Sequence, residues 1–179
     1  MNDARAQDFW AWSLDRYARP GVEETLLVLQ DRRGLDVCLL LWCAWRAERG
    51  DVVDRRIMAQ AVALAEPWSR EVTGRLRAVR RALKTARPEA VAAGAPALRE
   101  AVGKLELEAE RAACAMLDGL APEAPPTGAS PDAADAGTQA RRNFAAYLAA
   151  AGRASEADAE IRALLDALAA RLFACSAGP

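Results

Sequence analysis

Histidine is absent from the 179 residues. Ser-His-Asp and Cys-His catalysis, His-ligated zinc or haem and imidazole pH switching all go with it. The cysteines are Cys38, Cys43, Cys114 and Cys175. None forms a C-x-x-C pair, so the spacing offers no metal knuckle or redox motif. Cys38 and Cys43 lie in one apolar run and read as small buried hydrophobes. No cofactor, metal or catalytic residue is expected. Two groups of side chains could carry recognition.

The first is aromatic. Trp10, Trp12, Tyr17, Trp42 and Trp45 crowd the N-terminal quarter of a chain that is only 6% aromatic. Large rings at helical spacing fill a core, but they can also stack on a planar or apolar ligand. Buried indole N–H groups need acceptors, and Ser13, Gln30 and Asp31 are the nearby candidates. Asp31 falls near a helix C-terminus, where a carboxylate is mildly unfavourable. An ion pair with Arg16 or Arg19 would explain it, as would a place in the same candidate pocket. No second acid, base or phosphate loop accompanies it.

The second group is basic. Arg70, Arg75, Arg77, Arg80, Arg81 and Lys84 follow one another with few acids among them. A heptad frame with Leu76 and Leu83 at position a sets Arg75 and Arg80 on the seam. There they face the region of Glu106 and Glu108 on the following helix. Arg70, Arg77, Arg81 and Lys84 then form an outer stripe about 20 Å long. That stripe is either a solvated face or a docking site for an acidic partner. No aromatics interleave with it, and the net charge of −1 argues against a dedicated nucleic-acid binder.

The elements that must position these groups are helical throughout. Ala and Leu, both strong helix formers, dominate the apolar residues, which make up 53% of the chain. Phe9, Trp10, Leu14 and Tyr17 recur at helical spacing and predict a helix over about 4–18, ended by Pro20-Gly21. A second helix is expected over 22–33 with Gly34 as its C-cap. A third follows over 36–49 with Asp36 as N-cap. Residues 37–45 are apolar on every face, which places this third helix at the centre of a bundle. Asp51 or Asp54 starts a fourth, ended or kinked at Pro67. Two heptad-like stripes follow: Trp68, Val72, Leu76, Val79 and Leu83, then Leu98, Val102, Leu105, Ala109, Ala112 and Met116. They predict an antiparallel αα-hairpin turning between 87 and 96.

Residues 121–137 combine Pro, Gly, Ala, Ser and Asp without one large apolar residue and read as a flexible linker. Beyond it, Phe144, Tyr147 and Leu148 mark a short helix. Ser155 and Asp158 suggest a capping box before a last helix carrying Ile161, Leu164, Leu165, Leu168 and Leu172. The expected architecture is therefore all-α: a helical core over 4–120, a linker over 121–137 and a C-terminal helical hairpin over 138–175. The longest apolar run, Val37 to Trp45, is far short of the ~20 residues that span a bilayer. The N-terminus has no basic-then-apolar signal pattern, and a cytoplasmic setting without membrane contact is expected.

One stretch is distinctive as a pattern. Phe9-Trp10-x-Trp12-Ser13-Leu14-x-x-Tyr17 is followed by Pro20-Gly21-Val22, Leu29-Gln30-Asp31 and Gly34-x-Asp36-Val37-x-Leu39-Leu40-Leu41-Trp42-Cys43-x-Trp45. It resembles a family of short proteobacterial proteins of unknown function, over roughly residues 8–50 and more loosely to 110. In that family an Asn often follows the Asp-Val pair, where this chain has Cys38. The resemblance implies a bacterial, cytosolic, all-helical protein and brings no activity with it. The leading functional expectation is a non-enzymatic protein–protein interaction module. The alternatives are a binder of a small apolar or aromatic ligand at the Trp cluster, extending to an enzyme without His chemistry, and, more weakly, nucleic-acid binding through the Arg-rich helix.

Overall fold

A computed structural model describes residues 8–85, 93–120 and 132–174. Among them the chain is helical with no strand: α1 (Phe9–Tyr17), α2 (Val22–Arg33), α3 (Val37–Glu48), α4 (Arg55–Trp68), α5 (Gly74–Lys84), α6 (Ala95–Asp118), α7 (Ala133–Ala150) and α8 (Ala159–Leu172). No helix in these residues is long and apolar enough to cross a membrane.

The punctuation seen in the sequence does the expected work. Asp8, Asp36, Asp54 and Asp158 each accept a backbone N–H in the first turn of α1, α3, α4 and α8. This satisfies one of the orphan donors at each helix start. Asp158 alone therefore does what a Ser155–Asp158 box was expected to do, and Ser155 sits in a short 3₁₀ turn, Ala154–Glu156. Gly34 ends α2 in the left-handed conformation (φ 63°), and its N–H returns to the carbonyl of Gln30.

Pro67 does not end its helix. The chain runs from α4 through a single π turn, Ser69–Thr73, directly into α5. The wider turn is closed by the Gly74 N–H on the Ser69 carbonyl, with Thr73 Oγ1 donating to the same oxygen at 3.1 Å. A Cβ at Gly74 would stand 2.8 Å from that oxygen, so only glycine fits this closure. Pro67 itself lies inside α4, where it lacks the N–H that would bond the carbonyl four residues earlier.

At the centre of the bundle lies α3, with Leu39, Leu40, Trp42, Cys43, Ala44 and Ala47 fully buried. Its principal neighbour is α7, an element the sequence reading had set beyond a linker. Asn143 of α7 donates to the Cys43 carbonyl at 2.9 Å. The Asp36 N–H donates to the Tyr147 hydroxyl at 3.0 Å. Against α2 packs α8, tied by Arg33 to Asp158 at 3.1 Å and by Arg153 to the Gly34 carbonyl at 2.7 Å. The C-terminal pair thus shares the hydrophobic core of α1–α4. Residues 133–137, expected in the linker, form the first turn of α7, where Ala136 and Gly137 are buried. The remaining linker expectation, over 121–131, lies outside the described residues, as do residues 4–7 and Cys175.

The hairpin forms as expected, α5 against α6, but in a different register. Val102, Glu106, Ala109, Ala113 and Leu117 are the buried positions along α6. Leu98 and Leu105 are more than half exposed and Val79 nearly so. Hydrophobic spacing alone favoured Leu105. What decides the seam is a charged residue, Glu106, drawn in by two arginines.

Candidate functional site

Between α1, α2 and α3 on one side and the α5–α6 hairpin on the other lies a cleft of about 370 Å³. From α1 come Trp10, Leu14 and Tyr17, at i, i+4 and i+7, so one face of the helix forms a wall. From α2 come Leu27 and Gln30, and from α3 Val37, Cys38 and Leu41. The hairpin gives Arg77 and Arg80 from α5, and Gly103, Glu106, Leu107, Glu110 and Cys114 from α6. Leu14, Leu27 and Leu107 stand at the rim with 38–48% of their surface exposed. Gly103 lies against Arg80, and a Cβ there would stand in ordinary contact, 3.6 Å from the Arg80 Cδ.

The charged groups of the cleft are paired with one another. Arg77 donates from Nε to Glu106 at 2.9 Å and from Nη2 to Glu110 at 3.0 Å. Arg80 donates to Glu106 at 2.5 Å from Nε and 3.3 Å from Nη2. Burial works against the Glu106 charge, but hydrogen bonds and positive charge from Arg80 and Arg77 outweigh it and hold its carboxyl below the ordinary glutamate range. Glu110 moves the other way. Its burial outweighs the single contact with Arg77 and raises it. Two guanidiniums thus face two carboxylates, one strongly ionised and one less willing to ionise.

The other polar groups are neutral. Burial, with Glu23 and Glu110 nearby, pushes the Tyr17 hydroxyl up to about 12. A hydrogen bond with Cys114 and burial hold Cys38 well above the usual thiol range, so the Cys38 sulfur is not poised as a nucleophile. Gln30 donates no side-chain hydrogen bond within the described residues. Ser13 is already engaged with the Trp10 carbonyl at 2.8 Å. No cluster of three or more His, Cys, Asp or Glu side chains that could hold a metal occurs among the described residues. The arrangement can desolvate and stack on a ligand. It places no base beside a nucleophile.

The residues singled out in the sequence divide between core and cleft. Trp10 and Tyr17 line the cleft, whereas Trp12, Trp42 and Trp45 are core. The Trp12 indole donates to Glu48, which also receives Arg16. Trp42 and Trp45 lie beside the Arg46 guanidinium, 5.5 and 5.6 Å from the ring centres, and Arg46 is 3.2 Å from Asp51 in a buried pair. Their indole N–H groups have no partner among the described residues, so the acceptors expected at Ser13, Gln30 and Asp31 are not used. Asp31 pairs with Arg81 at 2.7 Å, not with Arg16 or Arg19, and stands outside the cleft.

The outer basic stripe does not stay together. Arg77 turns inward, with 14% of its side chain exposed. Arg75, expected on the seam, points to solvent and pairs with Glu71 on its own helix. Arg70 is exposed beside Glu71 at 3.0 Å. Lys84 is exposed and makes no ion pair among the described residues. The heptad frame placed Arg77 outside because it counted leucines and could not weigh a buried salt bridge. The cleft residues that sequence reasoning missed are Gly103, Leu107, Glu110 and the Cys38–Cys114 pair, while Gln30, expected as an indole acceptor, lines the cleft instead. Positions 103, 107, 110 and 114 share one helical face, a spacing visible in the sequence once the seam is set on Glu106.

The chain belongs to the family described as "Protein of unknown function (DUF2390)", whose model matches residues 8–117. Every residue lining the cleft falls within that span. No curated protein and no solved structure matches the chain.

Proposed function

We propose that this chain is a non-enzymatic binding module and that the cleft between α1–α3 and the hairpin takes a small, neutral, apolar or aromatic ligand. One observation carries the reading. The walls are Trp10, Leu14, Leu27, Leu41 and Leu107, and the ionic groups among them, Arg77, Arg80, Glu106 and Glu110, are consumed by one another. An anion or cation entering would have to break these pairs, whereas an uncharged ring gains burial without doing so. The volume lies at the lower end of the range typical of small-molecule sites, about 300–1,000 Å³. Four scattered cysteines without C-x-x-C spacing fit a reducing, cytoplasmic setting.

The test compares two fluorescent naphthalene probes of similar shape, neutral N-phenyl-1-naphthylamine and anionic 1-anilinonaphthalene-8-sulfonate. The neutral probe should bind saturably and more tightly. Trp10→Ala and Leu107→Arg should each weaken it roughly tenfold or more, the equivalent of losing one well-buried apolar contact. Tighter binding of the anion, or variants that bind as the wild type does, would refute the reading. A protein partner is the second reading, favoured by the apolar outer face of the hairpin.

A further inference from the structure

The seam between α5 and α6 uses only part of the apolar surface the hairpin carries. On α5, Val79 lies beside the seam with 47% of its surface exposed. On α6, Leu98 and Leu105, one heptad apart, are 54% and 58% exposed. Because the two helices are antiparallel, these residues fall on the same side of the hairpin. The cleft residues Arg80, Gly103 and Leu107 occupy the other side. Charged side chains flank this outer face. Arg75 on α5 is 74% exposed and bonds Glu71 beside it, and Glu108 on α6 is exposed and makes no ion pair among the described residues.

We propose that this face docks a second copy of the chain, hairpin on hairpin, as an antiparallel four-helix bundle. Two contacts set the levels along the hairpin, Arg77 with Glu110 and Arg80 with Glu106. A two-fold axis parallel to the helices preserves those levels. It lays α5 of each copy across α6 of the other, with every neighbouring helix antiparallel. Val79 then comes within a turn of Leu105 of the second copy, and Arg75 within a turn of Glu108 of the second copy. Each contact occurs twice by symmetry. The other face-to-face arrangement, α5 on α5 and α6 on α6, would bring the two Arg75 side chains to one seam and the two Glu108 side chains to the other, so charge selects the first. The interface is independent of the cleft and leaves it open in both copies.

Sedimentation equilibrium of the full chain over a range of micromolar concentrations tests this. The expected result is a reversible rise to twice the chain's 19.2 kDa. Leu105→Glu and Val79→Glu should each return the mass to the monomer with the helical circular dichroism unchanged, since both side chains are solvent-exposed in one copy. Glu108→Arg should weaken association roughly tenfold, because two symmetric pairs become repulsive. Adding Arg75→Glu to it should restore the wild-type constant. That charge reversal keeps the test sharp even if an apolar variant fails to fold. A wild type that is monomeric at every concentration, a dimer that survives Leu105→Glu, or a charge reversal without rescue would overturn the proposal.

Discussion

Replacing Arg77 and Arg75 separately by Glu sets the hairpin register under direct test, because the two residues are neighbours in sequence and opposites in environment. Arg77 keeps 14% of its side chain exposed and bonds both Glu106 and Glu110. Arg77→Glu removes those bonds and sets a third carboxylate beside the two left behind. Breaking a buried ion pair from one side costs about 3–5 kcal/mol. Glu106 retains Arg80, and Glu110 keeps a third of its side chain in water. The low end, about 3 kcal/mol, is therefore expected. For a chain of this length that lowers Tm by roughly 6–12 °C. Arg75→Glu acts on a side chain that is 74% exposed and should change stability by no more than the few tenths typical of surface sites. Thermal unfolding followed by circular dichroism, in dilute protein so that association does not contribute, reads both. Equal effects, or a larger loss at Arg75, would show that the leucine-based heptad frame is right and the Glu106-centred seam wrong.

The remaining predictions concern pH, capping and the C-terminal pair. Glu106 has a lowered carboxyl, so its contribution is complete above the unfolded glutamate pKa and fades as pH falls through the lower folded value; Glu106→Gln should flatten the acid limb of the stability profile. Asp36 is raised by burial in spite of its hydrogen bonds with Leu39 and Ser69, so its charge opposes folding above the unfolded pKa. Asp36→Asn, which keeps the cap, should stay within about 1 kcal/mol of wild type at neutral pH, whereas Asp36→Ala should lose about 1–2 kcal/mol in urea melts. Asn143 is buried and bonded to the Cys43 carbonyl, so Asn143→Leu should cost about 1–3 kcal/mol through the orphaned backbone group. A chain ending at residue 120 should lose cooperative unfolding, since it strips α3 of its principal neighbour; a stable, cooperatively folding fragment would refute the single shared core.

Local signals carried most of the secondary structure into the sequence. Asp36 before an all-apolar run and Gly34 after a charged one mark helix ends through their own chemistry, and the structure uses them so. The seam was hidden because α6 offers two apolar stripes, one through Leu105 and one through Leu107. The choice between them is made by Glu106, which the heptad frame sets at the edge of the seam opposite Arg80 and the structure buries within it. Of the two outcomes expected at Pro67, an end or a kink, the helix does not end there: it passes into a π turn that depends on Gly74, five residues beyond Ser69. The C-terminal pair looked separate because the stretch preceding it is poor in large side chains, yet Ala136, Gly137 and Ala140 are buried on α7. Small residues permit close helix packing, a property composition alone does not distinguish from a linker. The cleft could not be read as a unit because its walls come from five helices spread between Trp10 and Cys114.

The central claim, that the cleft is the binding site and the rest of the Trp cluster is core, is open to one spectroscopic measurement. The five tryptophans can be labelled as 5-fluorotryptophan and their ¹⁹F resonances assigned by single Trp→Phe replacements. On titration with N-phenyl-1-naphthylamine the Trp10 resonance should shift saturably. Trp12, Trp42 and Trp45, enclosed in the core, should hold their positions, and so should Trp68, whose indole N–H bonds the Ala109 carbonyl at 2.9 Å. A shift at Trp42 or Trp45 with Trp10 unmoved, or no saturable change at any of the five, would contradict the account.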